Sequence, residues 1–292
     1  MISVLMPTYN RASFIEEAID SVLKQTYQDF ELIIVDDGST DHTSELVENY
    51  SDPRISYHAI EHTGMLSQVR NVTLGMVRGE YIAFLDSDDI WEPDHLTHLM
   101  KAIEHNEEIG IAFSDVVEFR EREVLRNGIY QNRVAHLLEG DMDLLTAILH
   151  NQFSVYYSSL LLRTDEVRKT GLFNESISVT DTNFLGRVAR HCKARHTHKI
   201  TARVRKHASN HSDEVRSTAV NELIMLIDEL KASGHLTSSA YNQFAFKYYY
   251  QFGPQCMAHK ERKLARSAFL KAISLKPASV KSLLRWCSTW VA

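Results

Sequence analysis

The sequence has few cysteines, and none of them are close together. Its three cysteines, Cys192, Cys256 and Cys287, are scattered over 292 residues, and no Cys-x-x-Cys motif occurs. Closely spaced cysteines are the usual sign of a disulfide framework or a structural zinc site. The sequence therefore argues against both, and we expect a protein that works in a reducing compartment, the cytoplasm.

Long apolar runs are also missing. No stretch approaches the roughly 20 apolar residues that a membrane-spanning helix requires, and no basic leader precedes the strand-like start MISVLMP. We therefore expect neither a transmembrane helix nor secretion. With 44% hydrophobic and 24% charged residues, the chain has the composition of one large or two modest globular domains.

Glycine-rich phosphate loops are a third absence. No Gly-x-Gly-x-x-Gly follows the first strand-like segment, and no Gly-x-x-x-x-Gly-Lys-Ser/Thr occurs anywhere. Such loops hold phosphates with backbone amide groups. If the chain binds a phosphorylated ligand, we expect a metal cation to take over that task.

Over its first 115 residues, the sequence alternates strand-like and helix-like segments. A helix is predicted in SFIEEAIDSVLKQ, where an apolar stripe recurs at helical spacing and Ser13 and Glu16 have the spacing of a capping box. A second helix is predicted in EPDHLTHLMKAIEHN. Such alternation predicts an α/β fold with a mostly parallel sheet. The predicted strands are ISVLMP (2–7), FELIIVD (30–36), RISYHAI (54–60), YIAFLD (81–86) and IGIAFSD (109–115).

Three polar motifs follow three of these predicted strands. PTYNR (7–11), DDGST (36–40) and DSDD (86–89) each start where a strand is predicted to end. Each motif by itself could be an ordinary turn or a solvated loop. Because open α/β sheets bind ligands at the carboxyl ends of their strands, three coinciding motifs favour a ligand site.

The DSDD motif concentrates negative charge near the protein interior. Asp86, Asp88 and Asp89 would repel one another unless a positive group lies among them. Carboxylate oxygens suit Mg²⁺ or Mn²⁺, which take further ligands from substrate phosphates and water. The motif therefore predicts a divalent metal that arrives with a diphosphate, while Tyr9 and Asp37 could hold a nucleobase by stacking and hydrogen bonding.

These motifs also carry a family resemblance. The segments SVLMPTYNR, AIDSVLKQTYQDFELIIVDDGSTD and GEYIAFLDSDD resemble the nucleotide-binding half of the family 2 inverting glycosyltransferases, which have the GT-A fold. The resemblance covers roughly residues 1 to 115. It implies that the Asp-x-Asp motif binds a metal together with a nucleotide-sugar donor, so that Mn²⁺ or Mg²⁺ would be the cofactor.

The resemblance implies a role for each matching position. Pro7 and Tyr9 would border the uracil, and Asp37 would hydrogen-bond to it. Asp88 would ligate the metal with Asp86 beside it, and Asp86 would also contact the ribose or the donor sugar. The implied donor and metal site comprises Pro7, Tyr9, Asp37, Arg70, Asp86, Ser87 and Asp88.

The second half of the chain carries two further candidates. GLFNESISVTDTNFLGRVAR (171–190) resembles the family segment that supplies the catalytic base, which would be Asp181; the alternative is a helix N-cap. TARVRKHASNHS (201–212) resembles the closing strand and loop of the family. There His207, or the neighbouring Arg205 or Lys206, could meet the diphosphate; His207 could equally be an ordinary surface residue.

The chain from residue 213 is predicted to be helical. We divide the sequence into 1–115, the nucleotide-sugar-binding half of a GT-A domain, 116–212, an acceptor-binding half, and 213–292, a helical extension. Residues 276–292 contain Lys276, Lys281 and Arg285 but no acidic residue, together with Trp286 and Trp290. This tail could rest on an anionic membrane from the cytoplasmic side, or pack as a helical core or homo-oligomer interface.

Together these features predict a metal-dependent inverting, non-processive glycosyltransferase. It would move a sugar from a nucleotide donor, in the first instance a UDP-sugar, to a hydroxyl of a glycan, lipid-linked or protein acceptor in cell-surface polysaccharide or glycoconjugate assembly. The alternative is a non-catalytic nucleotide-sugar sensor or scaffold, which would need no base at Asp181. We expect no nucleic-acid partner.

Overall fold

The computed structural model describes residues 1–150, 155–176, 181–207, 216–258, 260–277 and 286. The chain divides into two compact units, Met1–Ser209 and Asn210–Ala292. The first unit contains a mixed α/β sheet with flanking helices, and the described part of the second is helical. The assignment of donor and acceptor halves to 1–115 and 116–212 stays a prediction.

The first unit contains one sheet. Its strands are β1 (Ile2–Thr8), β2 (Phe30–Asp36), β3 (Ile55–Ala59), β4 (Tyr81–Phe84), β5 (Ile90–Trp91), β6 (Ile109–Arg120), β7 (Glu123–Asn127), β8 (Asp141–Met142), β9 (Leu160–Arg163) and β10 (Lys193–Arg205). Its helices are α1 (Ile15–Leu23), α2 (Thr43–Glu48), α3 (Leu66–Gly75), α4 (His95–Ile103), α5 (Ile129–Val134), α6 (Leu144–Leu149), α7 (Thr164–Thr170) and α8 (Asp181–Val188).

The strand order is β3-β2-β1-β4-β9-β6-β10-β5, with β7 paired to β6 and β8 to β10. Strands β1 to β4 run parallel to one another, as do β6 and β10. Strand β9 lies antiparallel between β4 and β6 and so joins the two parallel groups. The predicted α/β class with a largely parallel sheet is confirmed.

The apolar sequences of β1 and β2 explain why these strands are buried. Every residue of β1 and β2 is buried, as expected for strands covered by helices on both faces. The predicted stripe on α1, Ile15, Ala18, Ile19 and Val22, is fully buried and supplies one such cover. Burying a side chain of this size contributes about 1.5–3 kcal/mol, so these contacts outweigh the weak helix preference of the β-branched residues.

The predicted capping box at the start of α1 is wrong. The N-cap residue is Phe14, and no side chain caps the helix. Instead, the Arg11 carbonyl accepts the N–H groups of both Phe14 and Ile15 at 2.9 Å. The Arg11 N–H in turn donates to Thr43 Oγ1 at the start of α2. This contact holds the chain at Arg11, so the start of α1 is positioned without a cap from Ser13.

The second unit contains α9 (Arg216–Ala232), α10 (Ser238–Ala258) and α11 (Arg262–Leu275). Beyond α9, Gly234 has φ +77°, the left-handed conformation that glycine commonly adopts just after a helix. Helices α10 and α11 approach closely where Gly253 meets Phe269, since a Cβ on Gly253 would lie 2.4 Å from that ring. None of the helices in the described ranges is long and apolar enough to cross a bilayer.

Candidate active site

The parallel register brings the three polar motifs to one edge of the sheet. Thr8 at the end of β1 lies opposite Asp36 at the end of β2, and Leu5 lies opposite Phe84 at the end of β4. The loops that follow these strands therefore start side by side. The predicted convergence of PTYNR, DDGST and DSDD is what the fold produces.

Asn10 ties the first two loops together. It has a left-handed backbone (φ 50°), which asparagine tolerates better than most residues, and its side-chain oxygen accepts the Thr40 N–H at 2.8 Å. The Asn10 N–H donates to Ser39 Oγ at 2.8 Å. Pro7 is buried within β1, while Tyr9 beside it remains 38% exposed, so Tyr9 offers its ring at the surface of the sheet edge.

Asp37 lies across from Tyr9 and holds the loop after β3. Its carboxylate accepts the N–H groups of Thr63 at 2.7 Å and Gly64 at 3.0 Å. His62, from the same loop, stacks on the Tyr9 ring with the ring centroids 4.2 Å apart. The two residues expected to hold a nucleobase are thus neighbours, and both contact the 62–64 loop.

Asp88 forms a charged cluster with residues from two other segments. Its Oδ2 lies 3.2 Å from Arg11 Nε and 2.9 Å from His207 Nε2, and the His207 ring stacks on Phe14. Burial raises the pKa of Asp88, but the hydrogen bond from His207 and the charge of Arg11 outweigh it, so the pKa lies below the ordinary value. The cluster keeps Asp88 ionised.

Asp86 and Asp181 share one arginine. The guanidinium of Arg70, on α3, lies 3.4 Å from Asp86 Oδ1 and also donates to Asp181 Oδ1 at the start of α8. The Arg70 side chain is 2% exposed. Burial raises the pKa of Asp86 to about 6; Arg70 opposes this shift, whereas the charges of Asp88 and Asp181 add to it.

Aromatic rings fix the position of Arg70. Its guanidinium carbon lies 4.4 Å from the centroid of the Tyr157 ring and 5.6 Å from that of Phe173. The Tyr157 hydroxyl donates to the backbone carbonyl of Asp181 at 2.9 Å. One tyrosine thus orients both the arginine and the start of α8, and with it the predicted base. Thr180, which directly precedes Asp181, lies outside the described residues.

Asp89, the last residue of the DSDD motif, has contacts that the sequence did not reveal. It is 4% exposed and accepts from Ser158 Oγ at 2.6 Å and from the Arg205 N–H at 2.9 Å. Ser158 Oγ also accepts the Asp86 N–H. Asp89 therefore joins the DSDD loop to the segment before β9 and to the end of β10. Burial holds its pKa well above the ordinary value.

The three basic candidates at the end of β10 have different neighbours. Arg205 donates to the Asp88 carbonyl and pairs with Glu17, and the Lys206 amine lies 3.5 Å from the buried carboxylate of Glu118. Of the three, His207 contacts the Asp88 carboxylate. Arg11 was missed as well, although its place directly after PTYN was a usable signal. Ser87 is buried between Asp86 and Asp88.

The donor atoms fit a divalent cation that keeps few protein ligands. Within the described ranges, no group of three or more His, Cys, Asp or Glu side chains is placed to hold a metal. An octahedral ion with bonds of about 2.1 Å holds adjacent ligand atoms about 3.0 Å apart. Asp88 Oδ2 and His207 Nε2 lie 2.9 Å apart; this distance is the hydrogen bond between them, and it is also the spacing of two adjacent ligands of an ion that phosphate and water would complete.

Comparison with known sequences finds relatives that are named as glycosyltransferases. The teichuronic acid biosynthesis glycosyltransferase TuaG of Bacillus subtilis is 40% identical over 116 residues, 39% of this chain and 45% of TuaG. The Escherichia coli enzyme WfgD, a UDP-Glc:α-D-GlcNAc-diphosphoundecaprenol β-1,3-glucosyltransferase, is 45% identical over 91 residues, 31% of this chain and 36% of WfgD. The matched segment spans less than half the length of either relative.

Solved structures show the same fold. Staphylococcus aureus TarS 1–349, in complex with UDP, superposes with a TM-score of 0.68 at 19% identity, covering 99% of this chain and 88% of that chain. The mannosyltransferase PcManGT of Pyrobaculum calidifontis, in complex with GDP-Man and Mn²⁺, has a TM-score of 0.59 at 17% identity and covers 99% and 79%. These similarities, at the level of the backbone, identify the fold as GT-A.

A family profile covers the residues of the site that lie in the first half of the chain, while Asp181 and His207 lie beyond the matched range. The profile for glycosyl transferase family 2 matches residues 3–161, a range that includes Tyr9, Asp37, Arg70 and the whole DSDD motif. The chain belongs to glycosyl transferase family 2.

Proposed function

We propose that this protein is a metal-dependent inverting glycosyltransferase that transfers a sugar from a UDP-sugar to an acceptor hydroxyl. One observation carries the proposal. At one edge of the sheet, Asp88 meets His207 and Arg11, and Asp181 meets Asp86 through the shared Arg70. The first group would suit a diphosphate with its cation, and the second would supply a carboxylate beside the donor sugar.

The choice of a uridine donor rests on Tyr9, Asp37 and the relatives. An exposed aromatic ring beside a buried carboxylate can stack on a base and accept its N–H group. WfgD is named for UDP-Glc, and TarS binds UDP. The same two contacts would suit uracil here.

Asp88 and His207 would hold the divalent cation, and Arg11 would add a positive charge beside them. When bound, Mn²⁺ or Mg²⁺ acts as a Lewis acid that stabilises the charge of the departing diphosphate, by several kcal/mol. Arg11 would act in the same direction without a metal, because its guanidinium lies 3.2 Å from Asp88 and so beside the proposed diphosphate position.

Asp181 would act as the general base. As the acceptor oxygen bonds to the anomeric carbon and the bond to the donor phosphate breaks, Asp181 takes the hydroxyl proton. A single displacement of this kind inverts the anomeric configuration. Arg70 donates to the Asp181 carboxylate and Tyr157 to the Asp181 backbone carbonyl, and a well-placed general base contributes roughly 10²–10⁴-fold to the rate.

We further propose that the acceptor belongs to cell-surface polysaccharide or glycoconjugate assembly. TuaG is named for teichuronic acid biosynthesis, and the name of WfgD specifies a diphosphoundecaprenol-linked acceptor. A lipid-linked acceptor would agree with membrane contact by the basic tail 276–292, for which the sequence supplies Lys276, Lys281 and Arg285.

A panel of nucleotide sugars tests the proposal. The purified protein is incubated with UDP-, GDP- and CDP-sugars, with Mn²⁺, with Mg²⁺ or with excess chelator, and released nucleoside diphosphate is measured. We expect turnover of at least one UDP-sugar that stops in chelator. Binding of a UDP-sugar without any turnover, with or without added acceptors, would favour a nucleotide-sugar sensor instead.

A further inference from the structure

His62 occupies an unusual position at the site edge. Its ring lies nearly parallel to the Tyr9 ring, at an interplanar angle of 17° and a centroid separation of 4.2 Å. The His62 side chain is nevertheless 47% exposed. It therefore covers one face of Tyr9 without being part of the hydrophobic core.

The same imidazole also hydrogen-bonds Asp37. His62 Nδ1 lies 2.9 Å from Asp37 Oδ2 and 2.8 Å from the Asp37 backbone carbonyl. Because both neighbours are acceptors, Nδ1 must be the nitrogen that carries the proton and donates. A planar ring that stacks on Tyr9 and donates an N–H to Asp37 makes the two contacts that a bound uracil would make with the same residues.

The backbone is shaped to admit this ring. Gly38 has φ +70°, and a Cβ at that position would lie 3.0 Å from His62 N and 3.1 Å from His62 Cβ. The glycine thus permits both the turn after β2 and the close approach of His62. The loop has its own anchors, because the N–H groups of Thr63 and Gly64 donate to Asp37 whether or not an imidazole is present at residue 62.

We infer that His62 is a built-in occupant of the nucleobase site, which an incoming nucleotide must displace from Tyr9 and Asp37. The inference rests on the proposed function, in which these two residues hold the base. Displacement frees the covered face of Tyr9 and one lone pair of Asp37 Oδ2. The backbone anchors at Thr63 and Gly64 stay in place, so the side chain can leave without unfolding the loop.

An occupant lowers the apparent affinity for the nucleotide. If the stacked form is populated about 90% of the time, only about a tenth of the molecules can accept a base, and apparent binding weakens about tenfold. Removing the imidazole while keeping the loop should therefore strengthen nucleotide binding. A residue that formed a wall of the site would have the opposite effect when removed.

The test is calorimetric titration of UDP, in Mg²⁺, into the wild type, His62→Ala and His62→Phe. We expect His62→Ala to bind UDP about three- to tenfold more tightly than the wild type. His62→Phe, which can stack on Tyr9 but has no N–H for Asp37, should fall between them. The matched control is His58→Ala, at an exposed position of β3, which should bind as the wild type does.

Proton NMR supplies an independent readout. In the nucleotide-free protein the His62 ring protons should be shifted upfield by the Tyr9 ring, and saturating UDP should remove that shift. Weaker or unchanged UDP binding by His62→Ala, or a ring-current shift that persists in saturating UDP, would overturn the inference and leave the proposed function standing. A wild type that binds no UDP would overturn both.

Discussion

Asp88 and Asp181 are both aspartates at the same edge of the sheet, but their neighbours separate their roles. Asp88 lies against Arg11 and His207. In the proposed site this group of charges would bind a diphosphate together with a metal cation. Asp181 receives a hydrogen bond from Arg70, whose cationic group lies on the Tyr157 ring. The division of labour that we propose, diphosphate binding at Asp88 and proton transfer at Asp181, therefore rests on the neighbours of the two residues and not on residue type.

Some of these residues could be predicted from the sequence because a local pattern, the apolar strand just before them, marks their position. Asp37, Asp86 and Asp88 stand directly after apolar strands, so the strand pattern alone places them at the sheet edge. The contact between Asp89 and Ser158 could not be found in this way. Their hydrogen bond joins positions 69 residues apart, and no local pattern reports which distant loops meet.

Replacing Asp88 tests the diphosphate end of the site. Asp88→Ala should abolish Mn²⁺- or Mg²⁺-dependent donor turnover, because one proposed metal ligand is lost, while the midpoint of thermal unfolding changes by only a few degrees. Nucleoside diphosphate release measures the first effect and circular dichroism the second. The matched control is Asp165→Ala, at an exposed carboxylate on α7. Undiminished turnover in the Asp88 variant would rule out its assignment to the metal.

At the scale of elements, β10 contributes most to assembling the site. It runs parallel to β6, and its last residues bring Arg205 to Asp89 and His207, just beyond it, to Asp88. The sequence likeness indicated a closing strand there. It did not indicate β9, a four-residue strand that lies antiparallel between two parallel groups, because a short apolar run has no pattern that distinguishes its direction.

Helix α4 carries a histidine whose burial should appear in the pH dependence of stability. His95 is fully buried, stacks on Trp91 and contacts Thr201 Oγ1. Burial lowers its pKa to about 3, so the fold keeps the ring neutral. Below about pH 6.5 the unfolded chain binds a proton that the folded chain does not. Stability is therefore lost as the pH falls from about 6.5 towards 3.

Because of His95, the free energy of unfolding should fall by up to about 1.4 kcal/mol for each unit by which the pH drops below about 6.5. Urea titrations between pH 7.5 and 4.5 measure the slope. His95→Gln should be less stable at pH 7.5 but show a shallower slope, and His136→Gln, at an exposed position, should keep the wild-type slope. His196, whose pKa burial lowers to about 4, adds a parallel contribution. Equal slopes in all three proteins would contradict the assignment to His95.

At the scale of the whole molecule, the sequence predicts the secondary structure of the second unit but not how its side chains pack. The sequence predicts that the chain from residue 213 is helical, and the described residues of the second unit do form helices. The packing of Trp286 could not be predicted, since it lies against Cys256, Ala265 and Phe269 of the α10–α11 pair. Trp286 thus packs within its own unit, whereas Trp290 lies outside the described residues.

Membrane contact by the tail 276–292 stays a prediction that charge reversal can test. Each basic residue near an anionic surface contributes about 1 kcal/mol. The wild type should sediment with phosphatidylserine vesicles at low salt and release as salt screens the attraction. The double variant Lys281→Glu and Arg285→Glu should lose binding but keep the packing of Trp286, and Lys101→Glu on α4 serves as the control. A wild type that ignores the vesicles would contradict the prediction.

Above all, we propose that this fold performs an inverting glycosyl transfer with Asp181 as its base. The reaction can be followed by NMR of the anomeric proton during metal-dependent turnover of an α-linked UDP-sugar, with water or an added acceptor receiving the sugar. We expect the β-anomer as the first product. We also expect Asp181→Asn to slow its formation roughly 10²-fold or more while UDP affinity stays within a few-fold. An α-anomer as the first product, or wild-type turnover by Asp181→Asn, would rule out this mechanism.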